Sequence, residues 1–464
     1  MQPHEAPRSG GIEPQPTMER RGFLKAVGSA VGLAALLGPA TLRGVEAAMS
    51  NAVGLTPQQA AREESLWSSV QQAFTMSRGL INLDNGFTCP TPRVVSEAVA
   101  RYIGDQEEVP YGLWLRDARS RMGTVRTGLA RLFGCDPDEI AITRNATEAL
   151  RTILYGFALK PEDEVLTTTQ DYDSMLATLE HRQQRDGITL TKVDVPTPPK
   201  SMDDLVGMFE RGITPKTRLI LLSHITYTTG QVFPVKRICD LAHQRGIDVL
   251  VDGAHSFGHL DFKLADLNCD YFGTSLHKWL LAPKGTGMLY IRKDKIEKIP
   301  PIMSPPPRRG NDRMRKYESV GIQSSAQNLG IGEALAFHNA IGAKRKEERL
   351  RYLTHAWAER LQAVPTIRLY TPLTPEMSCG IASVGIAGVD PTALHNYLWE
   401  KHRIQTSRGY YEEGRTLLWL RISPNLYTTL PELEYFCEAM EDVAKNGLPE
   451  PYRSYKPDLN RFNG

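Results

Sequence analysis

No two of the six cysteines, at positions 89, 135, 239, 269, 379 and 437, are spaced as Cys-x-x-Cys, and six in 464 residues is far below the density of a disulfide scaffold. Mostly buried free thiols are therefore expected, with an isolated disulfide left open by the export signal described below. Charge of one sign is lacking too: 55 Lys and Arg stand against 53 Asp and Glu, a net charge of +2. That balance gives no field to steer the protein toward nucleic acid or an anionic membrane. The densest charged run, Lys344-Arg345-Lys346-Glu347-Glu348-Arg349, mixes signs as a solvated helix face does. Beyond residue 48 no segment is apolar enough to span a bilayer, and there is no internal repeat or low-complexity tract. What remains, 41% hydrophobic and 23% charged, is the composition of a globular protein of two or three domains. A small-molecule enzyme fits it better than a nucleic-acid binder.

The N-terminus reads as an address. Glu19-Arg20-Arg21-Gly22-Phe23-Leu24-Lys25 precedes an uncharged stretch from Ala26 to Leu42, which ends in small residues around Val45-Glu46-Ala47-Ala48. This is the three-part grammar of an export signal, with a cleavage site near Ala47. The paired arginines resemble a bacterial twin-arginine signal. Residues 1–48 are thus expected to direct a folded protein to the periplasm or outside, with no stable membrane insertion after cleavage. A retained anchor is the competing reading, weakened by the Gly, Ser and Pro39 that dilute the apolar stretch.

From about residue 95 helical and strand patterns alternate. Short apolar, β-branched runs stand at Glu139–Thr143, Glu164–Thr168, Arg218–Ser223, Asp248–Val251, Tyr271–Thr274 and Gly287–Ile291. Helix-like stretches at Thr147–Tyr155, Ser174–Gln184, Met202–Arg211 and Val235–Arg245 lie between several of them. Uniformly apolar strands separated by helices imply an α/β domain with a mainly parallel sheet covered on both faces. The expected division is a segment 49–95, with a helix over Pro57–Phe74 that packs on the C-terminal domain, a large domain 96–310, and a smaller α+β domain 311–464. The Pro-rich Ile299–Arg309 marks the boundary, and Gly332–Val364 reads as one long charged helix.

Three segments follow strand patterns, where ligands bind in open α/β sheets. In Thr143-Arg144-Asn145-Ala146-Thr147-Glu148 a strand runs into a helix, whose first N–H groups make an anion site; an ordinary helix cap fits equally well. In Val251-Asp252-Gly253-Ala254-His255-Ser256 a carboxylate ends a buried strand and must find a partner. The protonated ring nitrogen of pyridoxal 5′-phosphate (PLP) is one candidate; capping the next helix, or sharing a metal with His255, are others. No third ligand falls at metal spacing, so no metal is assigned. In Gly273-Thr274-Ser275-Leu276-His277-Lys278-Trp279, desolvation of a lysine just past a strand favours the neutral amine that forms imines. Ser275 and His277 can donate to a phosphate.

At these residues the chain resembles the class V aminotransferase family of fold-type I PLP enzymes, in its isopenicillin-N-epimerase-like and cysteine-desulfurase-like branch. The resemblance runs from Leu83-Asp84-Asn85-Gly86 to Arg421-Ile422-Ser423-Pro424. It implies a seven-stranded, mainly parallel sheet with a small C-terminal domain, and a homodimer with its active site at the interface. It implies Lys278 as the Schiff-base lysine, Asp252 on the ring nitrogen and His255 near the phenolic oxygen. Phosphate contacts are implied from Ala146, Thr147, Ser275 and His277. Tyr172 stands where the family stacks an aromatic or His on the ring, and Arg421 where it clamps a substrate α-carboxylate; Asn85 and Tyr227 are expected beside the substrate. The loop Thr406-Ser407-Arg408-Gly409-Tyr410-Tyr411-Glu412 lacks the cysteine that carries a persulfide in desulfurating relatives.

These readings lead to a PLP enzyme acting at the α-carbon of an amino acid, of the aminotransferase or epimerase type. A carbon–sulfur lyase without a persulfide cysteine is the alternative, and a non-catalytic PLP-binding protein is a third. Changing Arg20 and Arg21 together to Lys is expected to trap a folded, cofactor-bearing precursor in the cytoplasm, read by cell fractionation; unchanged export would remove the twin-arginine assignment.

Overall fold

A computed structural model describes residues 40–77, 79–304, 313–407, 411–412, 415–416 and 419–455. Arg20, Arg21 and the apolar stretch up to residue 39 lie outside the described residues, as does Tyr410. The described chain opens with a helix, Ala40–Ser50, whose Val45 and Met49 are buried where it packs on helices Glu64–Gln71 and Ile331–Ile341. A cut near Ala47 would fall inside this helix.

The large sheet has seven strands: β1 (Ile140–Thr143), β2 (Glu164–Thr168), β3 (Thr189–Val193), β4 (Thr217–Ser223), β5 (Asp248–Asp252), β6 (Tyr271–Ser275) and β7 (Gly287–Ile291). Their spatial order is β1-β7-β6-β5-β4-β2-β3; β7 runs antiparallel to both neighbours and every other pair is parallel. Because side chains alternate along a strand, successive residues feed two cores. Ile142, Leu222, Val251 and Phe272 join one, with Leu129 and Phe133 of helix Tyr111–Phe133. Ala141, Leu221, Leu250 and Tyr271 join the other, with Leu150 and Ile153 of helix Ala146–Gly156. The β3 strand escaped the sequence reading because it is a polar edge strand with no uniformly apolar run.

A third core surrounds a three-stranded antiparallel sheet of β8 (Ile367–Leu369), β9 (Ala382–Ile386) and β10 (Leu420–Ile422), under helices Ala343–Gln362 and Leu430–Asn446. Residues 81–84 belong with this part: Ile81 and Asn82 pair with Ile404 and Gln405, and Asp84 bridges to Ser423.

Two expected helices are each divided. Gly332–Val364 becomes Ile331–Ile341 and Ala343–Gln362, broken at Gly342, whose φ of +89° no right-handed helix accommodates. Pro57–Phe74 becomes Pro57–Arg62 and Glu64–Gln71. The first of these packs on Ala343–Gln362, and the buried Arg349 secures the joint. Its guanidinium reaches both Glu64 carboxylate oxygens and the Ala61 carbonyl, and lies 5.2 Å from the Trp67 ring centre. Arg349→Ala would remove these hydrogen bonds and the packing on Trp67, with the partly exposed Glu64 left to water, and is expected to lower stability by about 2 kcal/mol, read from urea unfolding.

Candidate active site

Register brings the catalytic strand ends to one rim. Thr143 and Ser275 lie on either side of Gly287, and Asp252 lies between Gly273 and Ser223. Two glycines permit this closeness. A Cβ on Gly287 would sit 2.7 Å from the Asn145 backbone, and one on Gly253 only 1.8 Å from the buried Phe272 ring.

Past β1, the Asn145 side chain accepts from Glu148 N–H (2.9 Å), so the capping reading is correct as far as it goes. Ala146 N–H donates to Ser275 Oγ (2.9 Å), which leaves the Ser275 hydroxyl proton to turn outward. Thr147 N–H has no partner among the described residues, so the helix end keeps an open donor beside Ser275. For His277, expected as a phosphate contact, the hydrogen bonding fixes the polarity of the ring. Its Nδ1 lies 3.0 Å from the Thr286 carbonyl, which demands a proton on Nδ1; burial depresses the ring's pKa. A neutral His277 therefore turns a lone pair outward at Nε2, and it donates to a phosphate only as the imidazolium.

Asp252 is buried; Oδ1 accepts from Ala254 N–H (2.9 Å) and Oδ2 has no partner among the described residues. Burial raises its pKa to about 6. Lys278 is lowered to about 8, first by burial and then by the Arg421 cation, against the pull of Asp252. Its Nζ lies 3.1 Å from His255 Nε2. No group of three His, Cys, Asp or Glu able to hold a metal occurs among the described residues, so Asp252 and His255 gain no third ligand. A half-partnered buried carboxylate, an amine of depressed pKa and an open helix N-terminus fit the ring nitrogen, carbonyl carbon and phosphate of PLP.

Tyr172, half-exposed at the start of helix Asp173–Asp186, meets Tyr227 edge to face at 5.4 Å between ring centres. Arg421, on β10, donates to Asp84 Oδ1 (2.8 Å) and the Tyr227 carbonyl (2.9 Å), while its buried Nε has no partner among the described residues. A Cβ on Gly86 would come within 3.0 Å of the guanidinium, so glycine keeps that face clear. Tyr227 thus holds the arginine through its backbone.

Asn85, expected beside the substrate, has a side chain already engaged by protein groups. It is fully buried, its amide donates to the Ser423 and Asn82 carbonyls, and its oxygen accepts from Tyr427 Oη (2.7 Å). Both ends of the side chain are spent on structure.

Sequence reasoning missed Asp84, Asp171, Trp279 and Cys89. Asp171 was visible as an acid among threonines. It accepts from Thr167, Thr168 and Ser223, pinning the turn that carries Tyr172. Cys89 lies close enough to Lys278 to feel its charge, but burial raises its thiol to about 12, and it accepts from Asn425 Nδ2. Cys379 is buried against the Glu347 carbonyl. All six cysteines are free thiols, so none is paired in a disulfide.

The Aminotransferase class-V family profile matches residues 81–435, and the chain belongs to that family. It is a fold-type I, PLP-dependent class V enzyme. Isopenicillin N epimerase of Streptomyces clavuligerus is 30% identical over 391 residues, covering 81% of this chain and 98% of that protein. A probable cysteine desulfurase of Synechocystis is 30% identical over 420 residues, covering 81% and 95%. Among solved structures, the apo cysteine desulfurase of Thermococcus onnurineus superposes with a TM-score of 0.72 at 22% identity, covering 82% of this chain and 98% of that one. The cystine C–S lyase C-DES superposes with 0.70 at 24% identity, covering 79% and 98%. These two likenesses establish the fold.

The depressed Lys278 pKa has a measurable consequence. The unfolded chain holds the lysine proton up to about pH 10.4, whereas the folded one releases it near pH 8, so cofactor-free protein gains stability as pH rises through that window. Below it the partly desolvated ammonium destabilises the fold. Lys278→Met is expected to stabilise the apoprotein at pH 7 by roughly 2–3 kcal/mol, the gap closing by about pH 10.5; equal gaps at both pH values would refute this origin.

Proposed function

We propose that the protein acts at the α-carbon of an amino acid, as a PLP-dependent enzyme of the aminotransferase or epimerase type. The observation that carries this reading is the convergence of a half-buried Lys278 with the buried Asp252 and Arg421, whose charges act on one another in a single site. Bound PLP supplies an electron sink for the pair left when a proton departs from Cα. Lys278 is the amine that holds the cofactor, and with a pKa near 8 it is a suitable base for the α-proton. Arg421 grips the α-carboxylate, its fork fixed by Asp84 and the Tyr227 carbonyl. Asp252 offers a negative partner to the ring nitrogen, and Tyr172 offers an aromatic face. Thr147 N–H and Ser275 receive the phosphate.

A carbon–sulfur lyase is the second reading, supported by the desulfurase relatives. It would proceed without a persulfide at Cys89 or Cys379, since both are buried thiols whose pKa is pushed to about 12. A non-catalytic PLP carrier is the third reading, disfavoured by the intact charge set.

Incubation with a panel of amino acids separates the readings. Keto acid marks transamination, an inverted centre marks epimerisation, and sulfide with pyruvate marks elimination. Absence of α-proton exchange with solvent on every amino acid would leave only the carrier. Lys278→Ala should abolish turnover, and Arg421→Lys should lower kcat/KM by roughly 100-fold, because a point charge replaces a bidentate fork.

Export by the twin-arginine route and homodimerisation belong to the same proposal. The Tyr111 hydroxyl donates to the Gln323 carbonyl (2.8 Å) beside Ile322, whose exposed apolar side chain suits a partner subunit. Sedimentation is expected to give a dimer, and a fully active monomer would overturn it.

A further inference from the structure

We propose that Trp279 is a positioning residue that fixes the tautomer of His255, so that the imidazole offers the Lys278 amine an N–H at Nε2 and never a lone pair. The indole Nε1–H is a donor only, and it lies 3.2 Å from His255 Nδ1 with both side chains buried. Nδ1 must therefore be the unprotonated nitrogen. The ring stays neutral because burial and the cations of Lys278 and Arg421 oppose a second proton. Its single proton sits on Nε2, 3.1 Å from Lys278 Nζ.

Trp279 is itself held from two further directions. Its backbone carbonyl accepts from the buried Lys346 amine. Its ring stacks on His259, centres 3.9 Å apart and planes 23° from parallel. His259 is locked in the opposite tautomer by two backbone groups of fixed polarity. Its Nδ1 meets the His255 carbonyl (2.7 Å), which requires a proton there, and its Nε2 accepts from Gly380 N–H (2.8 Å). Neither histidine can exchange tautomers without breaking a buried hydrogen bond.

An N–H aimed at the Lys278 nitrogen favours the uncharged amine. Removing the indole donor frees Nδ1 to take the proton, and Nε2 then turns a lone pair toward a lysine ammonium. The other charged or titratable groups facing this pair are Asp252, Arg421, Asp84 and Cys89 on the lysine side, and His259 on the histidine side. The tautomer assignment stands apart from the reaction proposed above; its consequence for the bound cofactor rests on that reading.

The test is nitrogen NMR of cofactor-loaded enzyme carrying ¹⁵N-histidine, with His255 identified by the signals lost in His255→Gln. The expected spectrum has His255 unprotonated at Nδ1 and protonated at Nε2 throughout the neutral range; a protonated Nδ1, or an averaged pair of shifts, overturns the proposal. In Trp279→Phe the pH midpoint of the cofactor's absorbance should rise by about one unit, a tenfold change in proton affinity. In His255→Gln the amide oxygen can take the indole N–H and its NH₂ then faces Lys278, so the midpoint should stay. A Trp279→Phe enzyme with lowered thermal stability, an unmoved midpoint and an unchanged His255 tautomer would mean a merely structural tryptophan. Should that variant not fold, the wild-type nitrogen spectrum decides alone. Failure of the wild type to take up PLP would sink the reaction reading, while His255 shifts in the same sample still decide the tautomer.

Discussion

A half-buried Lys278 and a buried Asp252 stand on one sheet rim without a full set of partners, and much of the surrounding structure serves that constraint. An amine and a carboxylate in a dry setting each favour the neutral form, which pushes their pKa values toward one another, to about 8 and about 6. The Arg421 cation pushes the lysine further down, while Asp84, paired to Arg421, moderates it. The fold tolerates this because the strands beneath are anchored in two apolar cores. A site destabilised by its own charges needs such a base, and the missing partners are the polar atoms a bound ring and phosphate would present.

The parts of the site legible in the sequence were those whose chemistry is local. Asp252 ends an apolar strand, Lys278 follows another, and the Asn145–Thr147 turn joins a strand to a helix. Local pattern could place each on the rim, and six of the seven large-sheet strands were readable for the same reason. Arg421 was identifiable only by resemblance. Its ionic partner Asp84 lies 337 positions earlier in the chain, a separation across which periodicity carries no information.

Polarity was harder to read than position. His277 stands in the motif where a phosphate donor is expected, yet the Thr286 carbonyl consumes its one neutral N–H. Asn85 sits in the matching motif, yet Tyr427, Ser423 and Asn82 occupy its amide. In both cases the residue type was compatible with the role, and tertiary hydrogen bonds assigned the donors and acceptors elsewhere. The same kind of contact gives Trp279 and His259 their importance, although neither belongs to a motif that chemistry alone would single out.

The site is also where the two parts of the chain are tied together. Arg421 comes from the small sheet, and its guanidinium binds Asp84 from the N-terminal segment and the backbone at Tyr227 from the large domain. Gly380, just before β9, reaches into the large domain to hold His259, which stacks on Trp279 beside Lys278. The small domain therefore bears on both ends of the site, as a carboxylate clamp and as a support for the histidine next to the lysine. A shift of β9 and β10 relative to the large sheet could not move the clamp alone. It would also disturb the Gly380–His259 bond, so the position of Arg421 and the setting of His255 are linked by construction.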